Sequence, residues 1–356
     1  MSKTIILIAS GLVIGILALL LAANGNPPNM GICVACFLRD TAGALKLHEA
    51  MPVQYLRPEI PGFILGALAA ALAAREFRSS AGSSPFLRLA LGFFMMVGCL
   101  MFLGCPLRMV LRIAGGDLNA LVGLAGFTSG VGIGAVFLRK DFALPPRSPQ
   151  PGNEGIWFPL TTLVLLLLFF FRNELFAASR QGPGSLHASA WLSLGAGLAV
   201  GAIVQRTRFC FVGMISHVFL FRQFSMLLGV VALTAIVFAG NVLLGRIDFG
   251  FDGQPIAHND ALWNFLGMML AGLCGAFLGG CPLRQLVAAG QGNTDAAMTV
   301  IGMLLGGAAA HNFALASSAT GPTPGGKSVV IAGVAFAIIV GLLHSRVKAE
   351  NTISPA

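Results

Sequence analysis

Long apolar runs separated by short polar intervals are the dominant pattern of this chain. A membrane-spanning helix needs about 20 mostly apolar residues. By that measure ten spans are predicted, at 4–23, 60–75, 86–103, 117–138, 157–171, 187–204, 225–244, 261–279, 295–313 and 328–344. The run at 157–171 is short and needs its flanks to cross. Four further segments, 33–46, 105–114, 209–221 and 281–289, are too short to cross and carry or directly follow Arg39, Arg108, Arg208 and Arg284. They read as re-entrant pieces, because irregular backbone at membrane depth is tolerated only when buried in protein or lining a cavity.

Composition supports that pattern. Hydrophobic residues make up 56% of the 356 positions and charged residues 10%, with a mean hydropathy of +0.85. Soluble domains carry about a quarter charged residues, and no compact soluble domain is left over here, so the chain reads as an integral membrane protein. Residues 4–23 follow Lys3 and end in LAAN, which resembles a cleaved signal peptide. The run is long for that, and the repeat described next uses it as a structural element. The net charge is +9 with a pI near 9.7. In a membrane protein this reflects a bias of basic residues toward the cytoplasm. The basic residues are scattered, with no aromatic-interleaved run, and nucleic acid is set aside as a partner.

The second half rewrites the first. Cys33 in MGICVACFLRD aligns with Cys210 in TRFCFVGMISH, Cys105 in GCPLR with Cys281 in a second GCPLR, and Gly116-Asp117 with Gly292-Asn293. Each repeat reads as span, cysteine segment, two spans, cysteine segment, span. Four spans is an even number and one further span separates the repeats, so the second enters from the opposite side. This is an inverted repeat, a plan that builds transporter sites near the bilayer midplane. The predicted fold class is all-α and polytopic, an hourglass of two inverted repeats, each with spanning helices and two short re-entrant cysteine segments. Its parts are a first repeat (1–139), a cytoplasmic linker (140–156) containing PPRSPQPGNEG, a connecting span (157–185), a second repeat (186–314) and a C-terminal span and tail (315–356). Loops on the N-terminal side hold Lys3, Arg75, Arg78, Arg88, Arg139, Lys140, Arg147, Arg346 and Lys348, against Arg57, Arg172, Arg180, Arg246 and Lys327 on the other. That asymmetry predicts that both termini are cytoplasmic.

Gly-Cys-Pro after a span is a helix-start signal, since proline suits the first helical position. Cys105 and Cys281 are then at helix N-termini, where free N–H groups and the dipole favour an anion. The same position lowers a thiol's pKa. Arg108 and Arg284 lie about one turn further on the same face. The expected site is a two-sided pocket of opposed helix ends, each with a thiol and an arginine. The candidate substrate-path residues are Cys33, Cys105, Cys210, Cys281, Arg108 and Arg284.

Other features read as structural. Cys99 and Cys274 lie inside spans, where cysteine is commonly a small buried hydrophobe. Cys36 faces Gly213 in the alignment, so Cys33-x-x-Cys36 is not symmetric. Arg108 and Arg284 could alternatively snorkel or tie helices together. His217, His311 and Asn312 lie near path elements but suit bridging between helices. His48, Glu49, His258 and Asp260 fall in loops without ligand spacing. Gly126, Gly130, Gly132 and Gly134 point to close helix packing. No P-loop, other cofactor motif or metal site is present in the sequence.

At these residues the chain resembles the YeeE/YedE family of inner-membrane sulfur transport proteins. The resemblance covers both cysteine repeats, the GCPLR pair and the inverted halves. The stretch NPPNMGICVACFLRDTAGALKLH is most similar to the YedE branch, which is associated with selenium; the YeeE branch takes up thiosulfate. The resemblance implies a bacterial inner-membrane protein whose central cysteines, here Cys33, Cys105 and Cys281, hand the anion inward through weak S–H hydrogen bonds. The repeat adds Cys210. It also implies a cytoplasmic TusA-like sulfur-carrier protein as partner. No residue distinguishes selenium from sulfur.

The leading expectation is therefore a transporter or facilitator, not an enzyme, for a small sulfur or selenium anion. The alternative is a membrane thiol–disulfide exchanger of the CcdA/DsbD type, which would form a reversible Cys105–Cys281 disulfide. Soft-metal transport has the wrong electrostatics, because positive helix ends and arginines repel cations. A purely structural role leaves the re-entrant segments without a purpose.

Overall fold

The computed structural model describes residues 2–140, 142–145 and 148–351. Arg147 and parts of the 140–156 linker and the tail lie outside the described residues. Helices account for almost all regular structure. In the first repeat these are α1 (Lys3–Ala23), α2 (Val34–Ala44), α3 (Glu59–Ala73), α4 (Pro85–Met101), α5 (Pro106–Ile113) and α6 (Asn119–Arg139). After α7 (Trp157–Phe171) come α8 (Ala190–Thr207), α9 (Phe211–Phe221), α10 (Ser225–Leu243), α11 (Ala261–Leu278), α12 (Pro282–Gly290) and α13 (Thr294–Asn312), then α14 (Pro324–Asn351).

Among the described residues seven stretches are long and apolar enough to cross a membrane. Two of the ten expected spans, α3 and α7, are apolar but shorter. Helix α13 is long enough, but Asp295 and His311 dilute its apolar content. The chain is an all-α polytopic membrane protein.

The four cysteine segments form the short helices α2, α5, α9 and α12. What separates α5 from α4 is Leu103 in the left-handed region (φ +61), followed by Gly104, Cys105 and Pro106. Gly279 (φ +76) makes the same break between α11 and α12. A leucine there is strained and a glycine is not, so the repeats use one geometry at unequal cost.

Glycines join the two halves. A Cβ added at Gly11 of α1 would come 1.9 Å from Gly229 O of α10, and one at Gly201 of α8 would come 2.3 Å from Phe63 O of α3. The same closeness holds for Gly302 of α13 against Leu89 O of α4 (2.2 Å) and for Gly130 of α6 against Met269 O of α11 (2.0 Å). Backbones this close admit no side chain, as in membrane helix pairs built on small residues.

These seams also fix the direction of the repeats. Along α3 and α8, Glu59 meets Gly197 and Phe63 meets Gly201; along α6 and α11, Gly126 meets Phe265, Gly130 meets Met269 and Gly134 meets Ala276. Residue numbers rise together in the α1–α10 and α4–α13 seams as well, so all four inter-repeat pairs are parallel. A direct duplication would place α10 like α3, opposed to α1. Parallel α1 and α10 therefore require an inverted second repeat. Helices α4 and α11 are repeat counterparts and meet each other antiparallel, Gly98 lying against Gly267 and Ala271 and Met101 against Gly267.

The interior holds charges that the apolar pattern did not announce. Asp40 binds Arg39 (2.7 Å) and Arg57 (2.8 Å), Arg112 binds Asp117 (2.6 Å), and Arg88 lies 3.5 Å from Asp295, all of them buried. Removing one partner of such a pair leaves an uncompensated buried charge, at a cost of about 3–5 kcal/mol. Arg57 and Arg88, counted above as loop charges on opposite sides, are thus interior; taking one from each side leaves the asymmetry unchanged.

Candidate functional site

Each of the four short helices begins with a cysteine as its N-cap. Cys33 and Cys210 have extended backbone, and their Sγ atoms accept from the N–H groups of Cys36 and Gly213, three residues on, at 3.4 Å each. Sulfur here takes the capping role usually given to a serine or aspartate oxygen. Cys105 and Cys281 cap α5 and α12 with proline next, as the sequence predicts for a helix start. Neither sulfur makes the capping hydrogen bond, but the backbone N–H groups of Arg108 and Ala35 lie close to Cys105, and those of Arg284 and Phe211 close to Cys281.

The structure pairs these helix starts within each repeat. The Cys33 thiol meets those of Cys105 and Cys36. In the second repeat Cys281 N donates to Cys210 Sγ at 3.4 Å. Where the sequence suggested two GCPLR ends facing each other, the thiol neighbour of Cys105 is Cys33 and that of Cys281 is Cys210. The N-terminal ends of α2 and α5, and of α9 and α12, come to one place in each half. All seven cysteines are buried free thiols.

Arginine completes each cluster, in different ways. Arg108 is fully buried. Its Nη1 lies 3.5 Å from Cys36 Sγ and also donates to Leu103 O. Its Nη2 donates to Asn29 Oδ1 (2.8 Å), Ile256 O (3.1 Å) and Pro255 O (3.4 Å). Every one of these oxygens is neutral, so a buried guanidinium stands beside the thiols with its charge uncompensated by any hydrogen-bonded carboxylate. Arg284 is only half-buried and donates to Gln291 Oε1 at 3.2 Å, an oxygen that Arg208 also reaches at 3.4 Å.

Two placements escaped the sequence reading. Cys99, read as core, is buried on α4 within electrostatic reach of Cys33, Cys36 and Cys274. The signal was its position one and a half turns before Cys105, close to where Cys274 precedes Cys281. Arg39 is drawn toward Asp40, so it serves an ion pair next to the cluster. His311 packs at a tilt against His48 (4.8 Å between ring centroids), and Asn312 Nδ2 donates to Leu47 O, which makes both residues ties to the α2 loop. His217 packs against Phe221 on its own helix.

Helix N-termini, thiols and an arginine together supply N–H donors, positive potential and soft, polarizable contacts. Such a constellation suits a small anion with a sulfur-like atom. Among the described residues, no group of three or more His, Cys, Asp or Glu side chains is placed to hold a metal ion. No curated protein matches the chain. Residues 206–347, which include Cys210, Cys281 and Arg284, match the family model described as sulphur transport, and the internal repeat extends the same chemistry to Cys33, Cys105 and Arg108. By that match residues 206–347 of the chain are similar to the sulphur transport family.

Proposed function

We propose that this protein moves a small sulfur- or selenium-containing anion, such as thiosulfate or selenite, across the bacterial inner membrane, with both termini in the cytoplasm. The anion passes along Cys33, Cys105, Cys210 and Cys281, held by weak S–H donors and helix N–H groups and balanced by Arg108 and Arg284. The thiols bind and release; they are not nucleophiles, and the protein is not an enzyme. A TusA-like sulfur carrier at the cytoplasmic face is the natural recipient. The observation that carries this reading is the meeting of two thiol-capped helix N-termini in each repeat, next to an arginine whose charge no hydrogen-bonded carboxylate offsets at Arg108.

The test is uptake of labelled thiosulfate and labelled selenite in cells lacking their own routes, with Cys105→Ser and Cys281→Ser compared at matched membrane abundance. Cysteine-dependent uptake of one label supports transport and chooses the element. Wild-type uptake in both variants ends the relay.

The adjacency of two thiols in each repeat favours one second reading, thiol–disulfide exchange. It predicts disulfides Cys33–Cys105 and Cys210–Cys281, formed by loss of two electrons and two protons to a partner disulfide. An alkylation mobility shift that reports such bonds in cells would select it.

A further inference from the structure

A cavity of about 120 Å³ lies at the far end of α5, between α10 and the α10–α11 loop. A water occupies about 30 Å³, so the space equals about four waters, enough for a tetrahedral oxyanion. Asn29, Arg112, Asn241, Arg246, Asp248 and Gln254 line it, together with backbone. Arg112 forms the floor and is fully buried, with Nε on Asp117 (2.6 Å), Nη1 on Phe102 O (2.7 Å) and the guanidinium 4.0 Å over the Phe102 ring. Its Nη2 has no hydrogen-bond partner among the described residues. A buried charged donor left unmatched is costly, and an anion is the acceptor that would satisfy it. Asp117 and Asp248 oppose an anion here, but Arg112, Arg246 and the adjacent Arg108 outnumber them, three to two.

The cavity sits one step from the thiols. Asn29 divides them: its Nδ2 donates to Pro255 O (2.9 Å) and its Oδ1 accepts from Arg108, which touches Cys36. Neither cysteine nor methionine lines the cavity, so it reads charge and size and is blind to sulfur. The repeat does not carry its charged floor to the other face. The offset that carries Cys105 to Cys281 (281 − 105 = 176) carries Arg112 to Ala288 and Asp117 to Asn293.

We propose that this cavity is an antechamber, a binding site for a small doubly charged oxyanion that receives it before the first cysteine cluster. The order of events rests on the transport reading above; the binding itself does not. Sulfate and thiosulfate occupy it alike, and selection for the sulfur atom is left to the thiols behind Asn29.

The test is calorimetric titration of the full-length protein, in phosphatidylcholine nanodiscs, with sodium sulfate and with sodium thiosulfate. The wild type binds both within about threefold of each other. Arg112→Ala/Asp117→Asn, which copies the residues of the second repeat, weakens both by about tenfold or more. Should that variant not fold, Gly115→Leu serves. Gly115 lines the cavity, and a Cβ there meets no atom closer than 3.4 Å, so the side chain fills the space without a clash at its root.

A flat titration with both anions overturns the site, as does undiminished binding in both cavity variants. So does binding that appears only when phosphatidylglycerol replaces phosphatidylcholine, since the occupant is then a lipid headgroup. Loss of uptake with sulfate binding intact counts against transport and leaves the site standing. Intact uptake with a flat sulfate titration removes the site alone.

Discussion

The two cysteine clusters are built alike and finished differently. Both set two thiol-capped helix starts together and add an arginine one turn on. At the first, Leu103 is buried, Arg108 is fully buried and held by Asn29 and the carbonyls of Pro255 and Ile256, and Cys36 adds a third thiol. At the second, Gly279 is exposed at the matching position, Arg284 is half-buried, and Gly213 stands where Cys36 would be. An inverted repeat guarantees the same backbone twice, and only the side chains can make its faces unequal. One face is closed over its arginine and the other is open, which is how a symmetric frame acquires a direction.

The strongest way to break this comparison is to remove a thiol from each side. Cys105→Ser and Cys281→Ser are each expected to reduce uptake about tenfold or more, with normal membrane abundance, because a hydroxyl nearly matches the thiol in size but loses the soft contact. Equal losses would show the clusters acting in series. A loss confined to one variant would make the other cluster scaffolding.

The second test asks whether the halves depend on their glycine seams. Gly130→Ala puts a methyl 2.0 Å from Met269 O, whereas Gly195→Ala, also on a spanning helix, meets nothing within 4 Å. Overpacking costs about 1–3 kcal/mol. Thermal unfolding in detergent is expected to fall clearly for the first and to stay level or rise for the second. Equal midpoints would remove the seam from the account.

The third test concerns the arginines. Arg108→Gln removes donors from several buried oxygens at once, so it is expected to lower both uptake and thermal stability. Arg284→Gln, at a half-buried site, is expected to affect uptake with a smaller loss of stability. The reverse order of stabilities would mean that the closed and open faces have been assigned the wrong way round.

Much of this was legible in the sequence, and what was missed has a common cause. Apolar runs mark spans because lipid accepts nothing else over that length, and GCPLR marks a helix start because proline and cysteine act locally. The count of four spans per repeat, with one more between the repeats, then supplied inversion. Which helix start meets which was not legible: the Cys33–Cys105 contact depends on tertiary packing that brings together the starts of α2 and α5, far apart in the chain. The ion pairs of Asp40 with Arg57 and of Asp295 with Arg88 were not legible because both arginines read as loop charges. Cys99 was dismissed on the residue's general habit of filling core, although its neighbours decide its surroundings.

The smallest expected effect is on pH, and it sharpens the comparison at the closed face. His258 fastens the α10–α11 loop, the segment that covers Arg108, through Nε2–H to Met101 O (2.8 Å), while its Nδ1 accepts from Asp260 N (3.3 Å). His48 repeats the arrangement with Arg39 O (3.1 Å) and Ala50 N (3.2 Å). Both rings are held neutral, and burial pushes both pKa values below the ordinary histidine value. The unfolded chain then binds more protons than the folded one near and below pH 6.5, so stability rises with pH and is lost as pH falls through that range. His258→Gln, whose amide can still donate to Met101 O, is expected to unfold at nearly the same temperature at pH 7.5 and pH 5.5, or at least to show a smaller difference than the wild type. An unchanged difference would mean that the closure over Arg108 does not depend on the charge state of this ring.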